Sequence, residues 1–516
     1  MDKKVKSLLR ESARGSLILM ISQLSSTVIL AVGMLISARF LGSTKWGILN
    51  IANSVVSFGA TFQNIKVRPG LVKHISNLRY EEDEGNIGSY VKVGVLLSMI
   101  ASLIIFTIVF MSSDYLAVNY YKNPELGFYI KILSFSLFAK NMLTTVYGVV
   151  IGFERMEYYG IMQVVYSILK SLLTPLLVFF GFGLFGAVIG ELGPVTITGI
   201  IATIILFKLI NPSKGEKTIS YLLIAKQLLR FGIPLYFSSL LLGIRPNLYT
   251  SLLGVHVSEE IVGNWSVVLW FSTLISFVNA PISNALFPLF SKLDNNQDLE
   301  FVYKIGVKYS TLFVFPIIFT IMSLSDNIFA VLFPGDYVLA PTFLRYYMIT
   351  FLYIGLGLTC NGSLLNGRGL TNSVFTANLI QFIITVPFSF YIIPNFGVNG
   401  IIFLLLIGTL LSQIYNLYTI KNSFGFSFNI KESSKIFFAG IFSYIITSYF
   451  INIIDFHPLF ELILGGLLSL SSYMFGILLF KVINKGDIEY VNELSESFGP
   501  LSPIFKTFIN LIERRL

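Results

Sequence analysis

The feature that most limits how this chain can fold is a series of long apolar segments, each able to cross a membrane. A spanning helix needs about 20 mostly apolar residues, and the sequence contains fourteen such segments. They lack the alternation of apolar and polar residues that is typical of membrane β-strands. The candidate spans are 15–38, 46–66, 88–112, 127–152, 160–181, 183–207, 230–253, 263–288, 302–326, 343–366, 372–393, 398–420, 436–453 and 459–480. The sequence therefore predicts an all-α polytopic membrane protein with about fourteen transmembrane helices.

Composition excludes the soluble classes of protein. Only 12% of the 516 residues are charged, 54% are apolar and the mean hydropathy is +0.77, whereas soluble domains have about 25% charged residues. The net charge of +9 is scattered over short segments rather than gathered on one basic face, so we expect no nucleic-acid partner. One Cys and three His are too few for an internal disulfide or a Cys/His metal cluster. We expect neither a metal nor a cofactor.

The distribution of Lys and Arg predicts the orientation, because cytoplasmic loops carry an excess of these residues. With the N-terminus inside, the internal segments hold 25 of them, and the external segments hold only Arg39, Lys45 and Lys122. One missed span would invert every later loop and destroy this ratio. The first apolar segment is long enough to span and lacks a small-residue cleavage site, so it predicts a helix rather than a signal peptide. We expect a multi-pass protein of the cell membrane with both termini in the cytoplasm.

The two halves of the chain match each other at an offset of 212 to 214 residues. The matched elements are Leu41-Gly42 with Leu253-Gly254, Asp114 with Asp326, Lys131 with Arg345, Pro175 with Pro387, and Gly183 with Gly397. Six spans per copy is an even number, so both copies enter the bilayer from the same side, with a cavity expected between them. The sequence thus predicts two pseudo-symmetric six-helix bundles plus a C-terminal helix pair. The predicted limits are an N-terminal lobe at 1–207, a cytoplasmic linker at 208–229, a second lobe at 230–420, the extra pair within 421–480 and a cytoplasmic tail at 481–516.

Several short motifs give the chain a resemblance to a known family. These are Leu-Gly followed by Trp-Gly within 41–47, Leu-Leu-Gly followed by Glu-Glu-Ile-Val-Gly within 252–263, the opening of span seven at 229–235 and the Phe-Pro-Gly-Asp-Tyr loop at 333–337. Together they resemble the polysaccharide flippases of the multidrug/oligosaccharidyl-lipid/polysaccharide exporter superfamily. The resemblance covers about 1–420, and the added helix pair resembles the fourteen-helix members. It implies that lipid-linked oligosaccharide is flipped from the cytoplasmic to the outer leaflet by alternating access.

Charged residues inside the spans are the first candidates for a binding site, because each costs about 2.5–3.5 kcal/mol to insert at the membrane centre. Lys140, Lys170 and Arg245 lie near the middle of their spans, and Glu191 is the only acid clearly at membrane depth. A cavity with net positive charge suits the diphosphate of a polyprenyl-linked sugar. The alternative is that one of the two lysines pairs with Glu191 and only stabilises its lobe. Glu191 is therefore a candidate for an ion pair or for ion coupling.

Three further residues complete the predicted substrate-binding set. Arg39, at the outer end of span one, contacts either the substrate or the lipid headgroups. Asn141 and Asn247 lie beside two of the cations and are candidates for contacts with sugar hydroxyls, although polar residues in spans also form hydrogen bonds between helices. Pro246 follows Arg245 and predicts a helix break that frees backbone groups beside the cation.

The leading functional prediction is a flippase without covalent chemistry. The expected partners are an oligosaccharide linked to a polyprenyl phosphate or diphosphate, membrane lipids, and glycosyltransferases or a polymerase of the same pathway. A cation-coupled multidrug exporter is the second reading, and it is disfavoured because such a protein needs intramembrane carboxylates and only Glu191 is present. A membrane glycosyltransferase ranks lower, since the longest external loop, 327–342, has Asp336 as its single acid. A lipid II flippase would work similarly and stays open. The sequence contains no P-loop, so we do not expect the protein to hydrolyse ATP itself.

Overall fold

The computed structural model describes residues 3–81, 84–209 and 220–483, which are almost entirely helical and contain no strand. The spanning helices are Lys3–Gln63 (spans one and two), Ile87–Tyr115 (three), Glu125–Ser134 with Ser136–Gly152 (four), Met156–Leu177 (five), Gly183–Leu209 (six), Tyr221–His256 (seven), Glu259–Val268 with Phe271–Lys292 (eight), Asn296–Ser323 (nine), Ala340–Ile349 with Leu358–Gly367 (ten), Thr371–Phe424 (eleven and twelve), Ile430–Ile453 (thirteen) and Pro458–Leu479 (fourteen). This arrangement confirms the predicted fold class. The predicted tail beyond residue 483 and the linker residues 210–219 lie outside the described ranges.

Glycines mark the points at which long helical stretches divide into separate spans. The helix Lys3–Gln63 leaves helical geometry at Gly42 (φ 75°, ψ 166°), and Thr371–Phe424 does so at Gly397 (φ 55°, ψ −131°). Spans five and six are joined by a short π-helical turn in which Gly181 has φ 91°. A positive φ of this kind is adopted readily by glycine alone. The divisions predicted at the Gly-rich turns 180–183 and 394–397 are therefore confirmed.

The internal repeat appears as matching backbone geometry and matching ion pairs. Gly183 and Gly397 have nearly the same unusual conformation, with φ 53° and ψ −133° in the first and φ 55° and ψ −131° in the second. In the first copy Lys131 Nζ lies 2.5 Å from Asp114 Oδ2. In the second copy the guanidinium of Arg345 pairs with the carboxylate of Asp326. Three of the five matches predicted from sequence thus have the same local structure in both copies.

Packing groups the helices into two compact units. One comprises Met1–Val267 and Val386–Ile401, and the other comprises Val268–Thr385 and Ile402–Leu516. The core of the first unit is an aliphatic cluster that includes Leu71, Ile75, Val146, Val149 and Met162. The core of the second includes Phe290, Tyr303, Cys360, Leu364 and Ile420. The lobe limits predicted from the sequence, 1–207 and 230–420, are not tested by these two units and stay a prediction.

A helix that the sequence analysis did not anticipate, Val67–Tyr80, joins span two to span three. We call it the connecting helix. Its 14 residues are too few to span, and its basic residues led us to count the segment as a loop. Leu71 and Ile75 are fully buried, and a Cβ on Gly70 would lie 3.0 Å from the side chain of Leu228 in span seven. The connecting helix is therefore part of the packed core of the first unit.

Spans two and eight cross at a pair of glycines near their first turns. A Cβ on Gly47 would lie 1.7 Å from the carbonyl oxygen of Glu259, and a Cβ on Gly263 would lie 1.9 Å from the carbonyl oxygen of Ser43. Real side chains never approach backbone so closely, so both positions require glycine. The contact is reciprocal, because each glycine meets the residue four positions before the other. We call it the glycine crossing, and it lies wholly within the first unit.

The C-terminal helix pair is held together and to span nine by hydroxyl groups. The Ser443 hydroxyl donates to the Ser469 carbonyl oxygen at 2.7 Å, and the Thr320 and Ser469 hydroxyl oxygens are 2.7 Å apart. The Tyr473 hydroxyl donates to the Leu312 carbonyl oxygen at 3.0 Å. Polar contacts of this kind stabilise helix association in lipid, where apolar burial gives little advantage. The added pair thus belongs structurally to the second unit.

Candidate functional site

The buried charge predicted in spans five and six forms an ion pair. Lys170 Nζ lies 2.8 Å from both carboxylate oxygens of Glu191, and the two side chains are only 14% and 12% exposed. Lys170 also donates a hydrogen bond to the Tyr166 hydroxyl one turn earlier in span five. This is the structural pairing that the sequence allowed as an alternative to direct substrate contact. Glu191 is therefore already engaged by one cation.

Lys140, in span four, lies so close to Lys170 and Glu191 that the charges of both residues act on the Lys140 ammonium group. Its side chain is partly buried. Within the described ranges its ammonium group donates no hydrogen bond, unlike that of Lys170. The three charged groups Lys140, Lys170 and Glu191 thus carry one net positive charge. An ammonium in this position is available to an anionic ligand.

Arg245 is the second uncompensated cation and lies in span seven. Its side chain is partly buried, and its Nε atom is fully buried without a hydrogen-bond partner in the described part of the chain. Tyr249, one turn further along the same helix, lies near Arg245 and is buried. A buried guanidinium donor without a partner is costly in an apolar environment. Such a group is expected where a ligand or water supplies the missing acceptor.

The predicted helix break beside Arg245 is wrong. The helix Tyr221–His256 continues through Pro246 without a residue in non-helical geometry. Proline removes one backbone donor, but the surrounding turns hold the helix together. Asn247 donates its amide to the Gly243 carbonyl oxygen of the preceding turn at 3.3 Å. Its side chain therefore supports the helix near the proline.

Asn141 and Arg39 have different surroundings. The Asn141 amide donates to the Ser98 carbonyl oxygen at 2.7 Å and to the Ser102 hydroxyl at 2.9 Å, which ties span four to span three. Both of its donor hydrogens are used in this way. Arg39 is exposed at the C-terminal end of span one, a position that suits a headgroup anchor. The structure thus brings Lys140, Lys170 and Glu191 together, while Arg39 and Asn141 have separate surroundings.

In the second unit several polar residues of the spans pair with one another. Asn361 donates to Gln413 at 2.7 Å and accepts from the Tyr303 hydroxyl at 2.8 Å. Lys308, which is 5% exposed, lies 3.9 Å from a carboxylate oxygen of Glu432. These contacts match the helix-to-helix role that the sequence left open for such residues. Uncompensated positive charge within the described spans is therefore concentrated in the first unit.

Sequence analysis missed a set of polar side chains near the turn that joins spans four and five. Tyr147 and Tyr159 have ring centroids 4.3 Å apart, and the Arg68 guanidinium lies 5.7 Å from each centroid. Tyrosine was counted as an apolar residue of the spans, and Arg68 as a loop charge. The available signal was spacing, because Tyr147 follows Lys140 by two helical turns on the same face. Within the described ranges no group of three or more His, Cys, Asp or Glu residues is placed to hold a metal ion.

Comparison with known proteins agrees with this architecture. Residues 12–294, more than half of the chain, match the family described as polysaccharide biosynthesis protein. An uncharacterised membrane protein of Methanocaldococcus jannaschii is 23% identical over 421 residues, covering 77% of this chain and 81% of the relative. The lipid II flippase MurJ in an inward closed conformation superposes with a TM-score of 0.72 at 14% identity, covering 90% of this chain and 98% of the other. An inward-facing multidrug resistance MATE family transporter of the MOP superfamily superposes with a TM-score of 0.60 at 17% identity, covering 78% and 94%.

Proposed function

From the premise that the chain belongs to the polysaccharide biosynthesis protein family, we propose that it flips a polyprenyl-linked oligosaccharide across the membrane. In this proposal the substrate moves from the cytoplasmic to the outer leaflet by alternating access between the lobes 1–207 and 230–420. The chain has the fold of MOP-superfamily transporters and flippases, and at least ten of its helices are long and apolar enough to span. The carrier is a polyprenyl phosphate or diphosphate. Glycosyltransferases or a polymerase of the same pathway would supply and consume the lipid-linked oligosaccharide.

The observation that carries the proposal is the uncompensated guanidinium of Arg245. Its buried Nε has no partner among the described residues. The oxygens of a diphosphate can accept the two parallel hydrogen bonds that a planar guanidinium donates. Lys140 contributes a second cation without a hydrogen-bond partner in the same unit of the described chain. Two such cations favour an anionic ligand over a neutral sugar alone.

One structural neighbour is named a multidrug resistance transporter, and export of cationic drugs is the weaker candidate for this chain. A cationic drug needs an acidic group at membrane depth, and Glu191 is held by Lys170 at 2.8 Å. The remaining charges of that group are positive. They would repel such a drug.

The function of MurJ named in the comparison, flipping of lipid II, supports a lipid-linked substrate for this chain. Genetic complementation distinguishes lipid II from a lipid-linked surface oligosaccharide as the substrate. A strain depleted of its own lipid II flippase should not be rescued by this protein, whereas a strain that lacks a flippase for surface oligosaccharide should regain surface glycan. Rescue of the first strain alone would replace oligosaccharide by lipid II as the substrate.

The direct test is substitution of Arg245. We expect Arg245→Ala to abolish surface glycan in a strain that lacks the native gene, because the diphosphate loses its forked donor. Arg245→Lys should restore part of the activity, since a lysine keeps the charge but not the fork. Glycan is measured per amount of the protein in the membrane.

Arg345→Ala is the matched control, because Arg345 lies at the end of a span and pairs with Asp326. It should retain most of the activity. Full activity of Arg245→Ala would remove the anion-binding argument and return the drug-export reading to first place.

A further inference from the structure

A line of hydrogen-bond donors runs along the inner half of spans four and five in the first unit. It consists of Arg68 on the connecting helix, Tyr147 and Lys140 on span four, and Tyr159 and Tyr166 on span five. We call it the polar strip. In each span two members are seven residues apart, which is two helical turns or about 10 Å along the helix axis. The strip therefore extends from the end of the spans to the Lys170–Glu191 pair.

The inner end of the polar strip is fixed by close packing. The Arg68 guanidinium lies 5.7 Å from the ring centroids of both Tyr147 and Tyr159. A Cβ on Gly148 would lie 3.0 Å from the Arg68 carbonyl oxygen, so this glycine allows the connecting helix to approach span four. The rings hold the guanidinium through their faces.

The members of the polar strip keep some accessible surface while their neighbours are buried. All five side chains are partly exposed, whereas Val146 and Met162, on the same two spans, are fully buried. Within the described part of the chain, the hydroxyls of Tyr147 and Tyr159 form no hydrogen bond. In lipid every polar group needs a partner, so these hydroxyls must face water or a ligand.

Open space is present where the two spans meet the connecting helix. A cavity of about 510 Å³ borders the turn between spans four and five, and Phe153 and Arg79 are part of its lining. Tyr147 and Tyr159 flank this turn on either side.

Positive charge accumulates along the polar strip. Arg68 and Lys140 contribute two charges, and the adjacent Lys170–Glu191 pair contributes none. At the inner end Lys66 lies close enough to Arg68 that burial and the Arg68 charge lower the pKa of Lys66. Two cations in one strip, with Glu191 already paired to Lys170, favour an anionic ligand.

We propose that the polar strip is the inner part of the substrate route, in which Arg68 receives the phosphate or diphosphate group of the lipid-linked substrate and passes it to Lys140. The tyrosine hydroxyls donate hydrogen bonds to the anion between these two cations. The proposal rests on the proposed function, since it places Arg68 at the cytoplasmic end of the first unit. It adds a residue of the connecting helix to the substrate-binding set.

The test compares transport from the two membrane faces. The probe is a fluorescent short-chain polyprenyl diphosphate carrying one N-acetylhexosamine, added to inverted or to right-side-out membrane vesicles. We expect Arg68→Gln, and separately the double variant Tyr147→Phe with Tyr159→Phe, to lower the rate from the cytoplasmic face roughly fivefold at limiting probe, as expected for about 1 kcal/mol of lost hydrogen bonding. At saturating probe the rate should recover. Transport from the outer face should change less than twofold.

The phenylalanine variants keep the rings and their contact with Arg68, so they remove hydroxyls without removing packing. Lys73→Gln, on the same helix, is the matched control because Lys73 is exposed and belongs neither to the polar strip nor to the lining of the cavity. Wild-type apparent affinity in both strip variants would overturn the proposal. An equal loss from both faces would also overturn it, because it would indicate a role in folding.

Binding of inorganic diphosphate separates this proposal from the proposed function. If the wild-type protein fails to flip the probe, the flippase reading fails by itself. Binding of diphosphate to the purified protein that is lost in Arg68→Gln but kept in Lys73→Gln would still support the polar strip. Equal binding by all three proteins would refute it.

Discussion

At the scale of single residues, the pair of Lys170 and Glu191 shows how a charge can be stable inside the membrane. Because both side chains are nearly buried, removing one partner leaves the other charge uncompensated. We expect Glu191→Gln to lower the free energy of unfolding by about 3–5 kcal/mol, whereas the double variant Lys170→Met with Glu191→Leu should remain close to the wild-type protein. Thermal unfolding of the purified protein in detergent measures both.

The exposed pair of Lys131 and Asp114 provides the comparison for this prediction. Its side chains are 33% and 67% exposed, so Asp114→Asn should cost less than about 1 kcal/mol. If Glu191→Gln cost no more than Asp114→Asn, the buried pair would contribute no special stability.

Half of the candidate site could be read from the residues themselves. Lys140, Lys170, Glu191 and Arg245 were recognised because an ionisable residue in an apolar segment is costly whatever surrounds it. Which of the lysines pairs with Glu191 depends on helix rotation, which composition does not determine. Tyr147 and Tyr159 gave no such signal, because a tyrosine is common in a spanning helix and becomes polar only through the direction of its hydroxyl.

At the scale of helices and turns, the equivalent glycines Gly183 and Gly397 allow a prediction about stability. Gly183 and Gly397 have the same positive φ, and a Cβ would meet no atom closer than 3.9 Å at the first and 3.4 Å at the second. The cost of alanine is therefore backbone strain alone, about 1–3 kcal/mol. We expect Gly183→Ala and Gly397→Ala to lower the unfolding temperature by similar amounts.

Gly466 is the control for these turns, since it lies within the helix Pro458–Leu479 with open space around it. Gly466→Ala should be neutral or slightly stabilising, because alanine favours a helix more than glycine does. A large loss at one turn and none at the other would contradict the equivalence of the two copies.

The connecting helix should respond to pH through His74. This imidazole stacks on Tyr90 with ring centroids 5.1 Å apart, and burial, followed by the charge of Lys73, lowers the pKa of His74 below 6.5. The docked helix thus favours neutral His74, so its stability is present above about pH 6.5 and is lost as the pH falls. Hydrogen exchange in residues 67–80 should become faster between about pH 7.5 and about pH 5.5, after correction for the intrinsic rate.

His74→Gln should remove this pH dependence, since glutamine does not titrate. Exchange that accelerates equally in the variant would assign the effect to another group.

Most helices could be predicted from sequence, and the exceptions share a cause. A run of about 20 apolar residues has few alternatives to a spanning helix, and glycines marked the breaks within Lys3–Gln63 and Thr371–Phe424. The connecting helix and the short helix Ser325–Leu332 were assigned to loops. Both are too short to span, and the packing that stabilises them comes from residues distant in sequence.

At the scale of the whole molecule, the charge distribution predicts one orientation for every loop. Reporter fusions after residues 120, 258 and 336 should be located outside, and fusions after 80, 215, 428 and 490 inside. The reason is the excess of Lys and Arg in the cytoplasmic segments. With the N-terminus inside, a cytoplasmic reporter at 258 would require an even number of spans before it and would contradict the fourteen-helix topology.

The glycine crossing has a consequence for the ancestry of the chain. Gly47 meets the backbone of Glu259, and Gly263 meets that of Ser43, so the contact is unchanged when its two partners are exchanged. Contacts with this property are made by two identical subunits about a two-fold axis. The crossing is what a gene duplication would preserve from a protein the length of one repeat that paired with a second copy of itself. On that view the substitution of either glycine damages an interface older than the fused chain.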